Sequence, residues 1–251
     1  MSESTFKLAN PPIVEAVIDI ECDMPSALDL AALENAARDR FREQYPKFRK
    51  QVLQEHRIEQ KGDEPPQHSA RSGLQAFQLL QNDELQLVQV RAQGFSFNRL
   101  APYSALDDYM PEIKRTWDVF VGLIGPVQIR KIGLRYINRI LLPAVSGKVK
   151  LEHYFKVSPQ LPEAGNLAFA AFLNHHTAVE IDTGNQVNII LMMQPPETDK
   201  IPVIFDIEAL YAGAADPSDW TGIESRIASL RSLKNRVFRN TLTDPCLNLF
   251  Q

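Results

Sequence analysis

The sequence contains very little cysteine. Cys22 and Cys246 are the two cysteines among 251 residues, and they lie far apart along the chain. Cys22 falls within an apolar strand pattern, where a free thiol behaves as a small core side chain. This cysteine usage excludes a disulfide-stabilised scaffold and favours a reducing compartment.

Long apolar runs are also absent. No run approaches the roughly 20 residues that a helix needs to span a bilayer. The first residues, Met1 to Phe6, lack the basic start and the apolar core of a signal peptide. We therefore expect a cytoplasmic protein that does not enter a membrane.

An excess of positive charge is absent as well. The chain has 27 Lys and Arg residues against 31 Asp and Glu residues, for a formal net charge of -4. General binding to nucleic acid or to an anionic membrane needs a positive field or a large basic face, so we expect neither. The 44% hydrophobic and 23% charged residues are typical of a folded globular protein.

The familiar catalytic motifs are missing too. The sequence has no Gly-Lys-Ser/Thr phosphate loop and no Gly-x-Ser-x-Gly nucleophile elbow. His175 and His176 stand close to Glu180 and Asp182, but adjacent residues of an extended chain point to opposite faces and do not easily share one metal ion. We expect the histidine pair to lie in a solvated loop. The sequence thus predicts no cofactor and favours a protein without catalytic activity.

Apolar periodicity predicts the secondary structure. Residues 13–22 alternate with a period of two, with Ala16, Ile18 and Ile20 on the apolar face, as in a half-buried strand. Further extended segments are predicted at 47–60, 74–81, 85–92, 95–100, 127–142, 178–183, 187–193 and 202–209. The last hairpin, around Gly184, is the clearest of them.

Three amphipathic helices are expected, after Pro25, near Ser104 and after Pro217, together with a helical turn at 167–172. The inner face of the last helix is predicted to contain Ile223, Ile227, Leu230, Leu233 and Val237. Its cations are predicted to face outward or toward a partner: Arg226, Lys234, Arg236 and Arg239. Because strands and helices do not alternate as a parallel sheet requires, the order predicts an α+β fold. Its antiparallel sheet is either open or barrel-like, with about three helices packed on it.

The domain organisation follows from length and composition. The chain is predicted to form a single compact α+β domain over residues 1–251, or two closely packed halves of about 1–125 and 126–251. Residues 61–73 have almost no apolar anchor, which predicts an exposed loop. The apolar segment 244–251 is expected to dock on its own chain, with a homodimer as the competing account.

Two predicted strands carry opposite charge on one face. In the first strand, the charged face holds Glu15, Asp19 and Glu21. In the strand at 127–142, it holds Lys131, Arg135 and Arg139. If the strands are neighbours, the charges form a cross-strand ladder, in which each exposed pair contributes about 0.2 to 1 kcal/mol. We favour this interpretation.

In a second interpretation the same face lines a groove or barrel. Glu15, Asp19 and Glu21 then hold a divalent cation such as Mg or Mn, while the three cations Lys131, Arg135 and Arg139 bind phosphate. Acids of later strands would add to the site: Glu180, Asp182, Asp206 and Glu208. Phosphohydrolases of the triphosphate-tunnel kind use such an arrangement, although this strand lacks their Glu-x-Glu-x-Lys opening.

Three segments resemble one protein family: Asn10 to Val17, Ile132 to Ile140, and Phe205 to Glu208 before the closing helix. The family is a sporadically distributed group of uncharacterised bacterial and archaeal proteins of about this length, with no established activity. The resemblance extends from near the start of the chain to the last helix. The patchy distribution implies genes that move between genomes, as defence, toxin-neutralising and regulatory genes do.

These observations lead to one leading hypothesis of function and one alternative. The leading hypothesis is a prokaryotic binding or regulatory module without catalytic activity, whose partner is another protein or a second copy of the chain. The alternative is an enzyme that acts on phosphate or polyphosphate, using the acidic and basic strands with a divalent metal.

Overall fold

The structure is a computed structural model that describes residues 8–25, 29–59, 67–125, 127–144, 147–157, 159–162, 164 and 167–251. Within these residues there are nine β-strands and five α-helices. The strands are β1 (Ile13–Cys22), β2 (Lys47–Glu59), β3 (Gln67–Leu80), β4 (Gln86–Arg91), β5 (Gly94–Leu100), β6 (Ile129–Pro143), β7 (Leu173–Val179), β8 (Gln186–Met193) and β9 (Lys200–Ala215). The helices are α1 (Leu30–Phe41), α2 (Leu106–Ile124), α3 (Leu151–Tyr154), α4 (Trp220–Thr241) and α5 (Asp244–Leu247).

The strands form one antiparallel sheet in the order β2-β3-β4-β5-β1-β6-β9-β8-β7. β1 pairs with β5 on one side and with β6 on the other. The antiparallel α+β class predicted from the sequence is confirmed. The barrel-like form is corrected, because β2 and β7 lie at opposite ends of the order and the described residues do not pair them. Whether a sheet closes into a barrel depends on the tilt of its strands and on the stagger of their pairing register. The alternation of apolar and polar residues along one strand determines neither.

The two halves of the sheet repeat the same order of elements. Each starts with a central strand, β1 or β6, continues through a helix and a meander of strands, and ends in a long helix, α2 or α4. The central strands lie side by side, and each half extends outward from them. The pairing of β1 with β6 therefore continues one sheet across both halves.

One face of the sheet packs against α1, α2 and α4 around a continuous apolar core. As predicted, Ala16, Ile18 and Ile20 of β1 are buried on this face. Trp117 of α2 is fully buried, and its indole N–H donates a hydrogen bond to the Pro217 carbonyl oxygen at 3.0 Å. This bond joins α2 to the loop before α4 and satisfies the polar end of a large core side chain.

The helices differ in number from the prediction. The three expected amphipathic helices are α1, α2 and α4, and the short α3 and α5 were missed because four residues are too few to show helical periodicity. The predicted turn at 167–172 has no helical backbone. Instead, the Phe172 carbonyl accepts a hydrogen bond from the Met193 amide of β8, which extends the sheet pairing.

β2 and β3 form a long hairpin. Residues 67–73, predicted as part of an exposed loop, form the first half of β3 and pair with β2. Residues 61–66 of that predicted loop lie outside the described residues. We predicted a loop because this stretch has almost no apolar side chains to anchor it. The register shows instead that its backbone pairs with β2, and backbone pairing does not require apolar side chains.

His175 and His176 lie in β7, which corrects their placement in a loop. They are opposite Ile190 and Ile189 of β8, and the alternation of the strand sends their side chains to opposite faces. The hairpin predicted around Gly184 is confirmed, and Gly184 has φ +73°, a conformation that favours glycine. Its first strand was predicted at 178–183 but lies earlier, at Leu173–Val179, with residues 181–183 in the turn.

The C-terminal segment docks on its own chain, as predicted. Cys246 of α5 is fully buried, and Phe250 in the 3₁₀ turn Asn248–Phe250 is 6% exposed. The Asn10 amide donates a hydrogen bond to the Phe250 carbonyl oxygen at 2.9 Å, so this segment also holds the start of β1. In the described part of the chain, no helix combines the length and the apolar character needed to cross a membrane.

Candidate functional site

The face of the sheet opposite the core forms a concave groove of about 900 Å³, lined by residues of β1 to β6 and β9. We call it the sheet groove. All three predicted acids, Glu15, Asp19 and Glu21, line it, and so do two of the predicted cations, Lys131 and Arg135. The structure therefore brings together five of the six residues that the charge pattern singled out.

The ladder predicted between β1 and β6 forms at one position. Lys131 is directly opposite Glu21 in the register and makes an ion pair with it. Asp19 pairs instead with Arg91 of β4, across the intervening β5. Arg91 can reach over β5 because the residue opposite it there is Gly94, which has no side chain. Burial raises the pKa of Asp19, although the Arg91 guanidinium opposes that effect.

The other two cations take partners that β1 does not supply. The Arg135 Nε donates to Asp206 Oδ1 at 2.9 Å, and its second N–H group donates to Oδ2 at 2.5 Å. This hydrogen bonding raises the pKa of Arg135. Arg139 contacts Glu197 and donates to Gln194 at 3.2 Å. The ladder prediction missed Asp206 because β6 has a second neighbour, β9, and it missed Gln194 and Glu197 because they lie in the connection between β8 and β9. Charge alternation on β1 reveals neither.

Polar side chains form a row across the groove. On one side, hydrogen bonds of 2.7 to 3.2 Å join residues of five successive strands: Gln51, Gln78, Gln89, Asn98 and Glu15. Beyond β6, hydrogen bonds of 2.9 and 3.0 Å join Thr177, Asn188 and Glu208. Of the later acids, Glu208 lines the groove, whereas Glu180 contacts Arg236 of α4 and Asp182 lies in the turn after β7. Those two acids are not brought to the groove.

The sheet groove offers few unsatisfied charges. Lys131, Arg135 and Arg139 each already contact a carboxylate, as does Arg91. Among the described residues, no group of three or more histidine, cysteine or acidic side chains is placed to hold a metal ion. Metal and phosphate binding at this face stay predictions, and the ion pairs leave the cations little capacity for a ligand.

A second cavity, of about 520 Å³, lies on the helix side of β6, and we call it the α4 cavity. Four parts of the chain form its walls: the segment Leu8 to Ile13, residues 103–108 at the start of α2, Tyr136 and Asn138 of β6, and Arg231, Lys234, Asn235 and Phe238 of α4. Asn138 is 1% exposed, and its amide donates to the Phe205 carbonyl oxygen at 2.9 Å. This bond fixes one wall of the cavity against β9.

Lys234 is the unusual residue of the α4 cavity. It is only 8% exposed, and its Nζ lies 3.8 Å from the centre of the Tyr136 ring. No hydrogen bond or ion pair joins Lys234 to any residue that the structure describes. Burial, with a smaller contribution from the Arg231 guanidinium, lowers the pKa of Lys234 to about 7. A buried amine without a counterion is costly, because desolvation disfavours its charged form.

A pair of phenols borders the amine. The hydroxyl oxygens of Tyr103 and Tyr136 are 2.6 Å apart, close enough for a hydrogen bond. Burial raises the pKa of Tyr136 to about 12 and also raises that of Tyr103, so both phenols are neutral at physiological pH. They therefore offer hydrogen-bonding groups to the cavity without offering a negative charge to Lys234.

Arg231 and the acids of α2 supply the remaining charges of the cavity. Arg231 lies one helical turn before Lys234, and a guanidinium N–H donates to Asp107 Oδ1 at 2.6 Å. Asp107 and Asp108 are exposed. The negative charges thus sit at the rim, where solvent screens them, while the amine lies inside.

The sequence prediction that Lys234 faces outward or toward a partner was wrong, because the residue is buried within its own chain. Lys234 follows Leu230 by four residues and precedes Phe238 by four, so all three share one face of α4, and all three are buried. The spacing along the sequence could have revealed that Lys234 is buried, because it places the residue on the apolar stripe of the helix. Hydrophobicity alone assigned the lysine to the opposite face.

The sequence matches no family model and no curated protein, and no solved structure matches the fold. Membership of the sporadically distributed family stays a prediction. Two of the three segments that carry that resemblance meet in the α4 cavity, the first through Pro11 and Pro12 and the second through Tyr136 and Asn138.

Proposed function

We propose that the protein is a non-catalytic binding module that holds a small molecule in the α4 cavity. The ligand has an anionic group and an apolar body. One observation carries this proposal: the Lys234 amine lines a cavity of about 520 Å³, is 8% exposed and has no acceptor among the described residues. A buried amine without an acceptor lowers the stability of the folded chain, and residues that form binding sites commonly have such a cost.

The charge of the ligand follows from the charges around Lys234. Arg231 stands one turn away on the same helix and disfavours the ammonium form of Lys234. An anionic group placed between the two side chains would accept charge-assisted hydrogen bonds from both, and these are about twice as strong as neutral ones. Such an anion would also raise the pKa of Lys234, because an opposite charge favours the protonated amine.

The size and the apolar body follow from the rest of the wall. A volume of about 520 Å³ lies within the roughly 300 to 1,000 Å³ that is typical of small-molecule sites. Apolar side chains line much of it, among them Leu8, Ile13, Leu106 and Phe238. Each buried methylene of a ligand contributes about 0.8 kcal/mol, so an aliphatic chain behind the anionic group would add to affinity.

The alternative function, an enzyme acting on phosphate or polyphosphate, has weaker support. It needs Lys131, Arg135 and Arg139 to bind phosphate, and each of them contacts a protein carboxylate instead. A phosphate group would have to displace Asp206 from a two-point hydrogen-bonded pair with Arg135. This alternative stays a prediction.

The proposal is tested with straight-chain carboxylates, from acetate to octanoate, and with the matching primary alcohols. We expect the carboxylates to raise the melting temperature, with an effect that grows with chain length, and the alcohols to have little effect. Lys234→Met should abolish the response. Lys114→Met should retain it, because Lys114 is an exposed lysine that pairs with Asp118. Equal responses of the wild-type protein and Lys234→Met would refute the proposal.

A further inference from the structure

We propose that the ligand of the α4 cavity carries a carbonyl group, which the Lys234 amine captures reversibly as an imine. The ligand class is a small aldehyde or ketone that also bears an anionic group, such as an oxo acid. This inference rests on the proposed function, and it adds a covalent step to what would otherwise be an ion pair.

The surroundings of Lys234 are those of a nucleophilic amine. Lysines become reactive toward carbonyl groups when they are desolvated in an apolar site or placed beside another cation. Lys234 meets both conditions: it is 8% exposed, and Arg231 lies one turn away. No acceptor among the described residues holds its protons, so the nitrogen is left for a ligand.

Within the part of the chain that the structure describes, other elements bring no counter-charge close to the amine. The titratable groups that line the cavity are Tyr136 on β6, Tyr103 before α2, Asp107 and Asp108 on α2, and Arg231 on α4. Both tyrosines stay neutral because burial raises their pKa values. Asp107 is hydrogen-bonded to Arg231, and both aspartates are exposed at the rim. The amine is therefore half deprotonated near pH 7, where an ordinary lysine is almost fully charged.

The chemistry balances without any further reactant. The nitrogen lone pair of Lys234 adds to the carbonyl carbon, and a proton moves from nitrogen to the carbonyl oxygen to give a carbinolamine. Loss of that hydroxyl group as water, with one proton taken up from solvent, leaves a protonated imine, and the Tyr103 and Tyr136 hydroxyl pair stays neutral. Water reverses the reaction, so the protein captures and releases the ligand without consuming it.

Arg231 fixes the anionic group of the ligand. Its guanidinium has five N–H donors, and one described bond, to Asp107, uses a single group. The remaining donors can bind a carboxylate while the carbonyl carbon, one or two bonds away, meets Lys234 on the next turn of α4. From this spacing we expect an oxo acid to bind both residues, and a simple aldehyde to lack the contact with Arg231.

The inference is tested with glyoxylate, a small aldehyde with a carboxylate, in the presence of sodium cyanoborohydride. Hydride addition to the imine carbon makes the adduct permanent and leaves one carboxymethyl group on the modified lysine. Peptide mapping by mass spectrometry should locate it at Lys234, with a rate at pH 7 at least about tenfold higher than at Lys114, since nearly all ordinary lysine is protonated at that pH. Labelling spread over surface lysines without preference for Lys234 would overturn the inference.

Two further measurements separate a failed inference from a failed function. Octanoate should protect Lys234 from labelling in the wild-type protein, a result that does not depend on whether any variant folds. Lys234→Arg should lose the specific adduct while Lys114→Arg retains it. If carboxylates stabilise the protein but glyoxylate forms no adduct at Lys234, the imine is refuted and the binding function stands; if neither occurs, both are refuted.

Discussion

The amine of Lys234 lies 3.8 Å from the centre of the Tyr136 ring, and no hydrogen bond or ion pair joins it to any residue that the structure describes. A cation over an aromatic ring gains about 0.5 to 2 kcal/mol. That gain does not offset the burial of an ammonium group, which explains why the pKa of Lys234 falls to about 7. The pair is therefore the basis of the binding site that we propose.

Lys234→Met should stabilise the protein at neutral pH. The pKa of Lys234 falls from 10.5 to about 7 on folding, so between these values the unfolded chain binds more protons than the folded one. The unfolding free energy of the wild-type protein therefore rises with pH through this window, by about 1.4 kcal/mol per pH unit. Lys234→Met lacks this rise, so its advantage should be largest at pH 7 and below and should shrink toward pH 10.5.

The measurement is urea denaturation of both proteins at several pH values. Lys114→Met is the matched control: Lys114 is exposed, with an ion pair to Asp118, and its loss should change stability by less than about 1 kcal/mol at any pH. A pH-independent difference between Lys234→Met and wild type would contradict the burial of a shifted amine.

Arg135→Met should destabilise the fold by about 2 to 3 kcal/mol, because it leaves the Asp206 carboxylate buried without its partner. The Asp206 side chain is only 9% exposed. Arg49→Met is the control, since the Arg49 and Glu84 side chains are both largely exposed and their pair contributes at most about 1 kcal/mol. Similar losses in the two variants, measured by chemical denaturation, would show that Asp206 is not held as described.

Gly94→Ala should be among the most damaging small substitutions in the sheet. A Cβ at Gly94 would lie 2.1 Å from the Ile20 carbonyl oxygen, and the residue has φ +142°. We expect a loss of at least about 3 kcal/mol from the clash and the strained backbone together.

Gly122→Ala provides the opposite control, measured in the same way. Gly122 lies in α2, and a Cβ there meets nothing within 4 Å. Alanine should stabilise the helix by about 1 kcal/mol. A neutral result at Gly94 would contradict the close approach of β1 and β5.

Cys22 and Cys246 should resist thiol reagents in the folded protein. Both are buried, and desolvation raises the pKa of each to about 12, so almost no thiolate exists at pH 8. A colorimetric disulfide reagent should titrate two thiols in denaturant and react only slowly without it. Rapid reaction of either thiol in the native protein would contradict this burial.

Much of the fold could be predicted from local patterns. Alternation in β1 identified its buried face, and the opposed charges on β1 and β6 indicated that the two strands are neighbours, which their register confirms. The pairing of Lys131 with Glu21 follows directly from that register. The partners of Arg135 and Asp19 could not be predicted, because they come from strands that become close only in the assembled sheet.

The α4 cavity could not be predicted from the sequence, for a different reason. Lys234 belongs to a run of cations on α4, and polar character alone places such residues on the outer face of a helix. Its spacing from Leu230 and Phe238 indicates the inner face, and where spacing and polarity conflict, a functional residue is one physical explanation. The contribution of Tyr103 depends on the fold, since residues 103 and 136 meet only through tertiary packing.

The titration of Lys234 tests the central claim most directly. Protein labelled with ¹⁵N-lysine can be followed by NMR from pH 5 to 11, with Lys234→Arg identifying the resonance. We expect a midpoint near 7 in the free protein and a clear rise when octanoate is bound, because the carboxylate supplies the missing counter-charge. A midpoint close to the ordinary lysine value, unchanged by octanoate, would contradict the account.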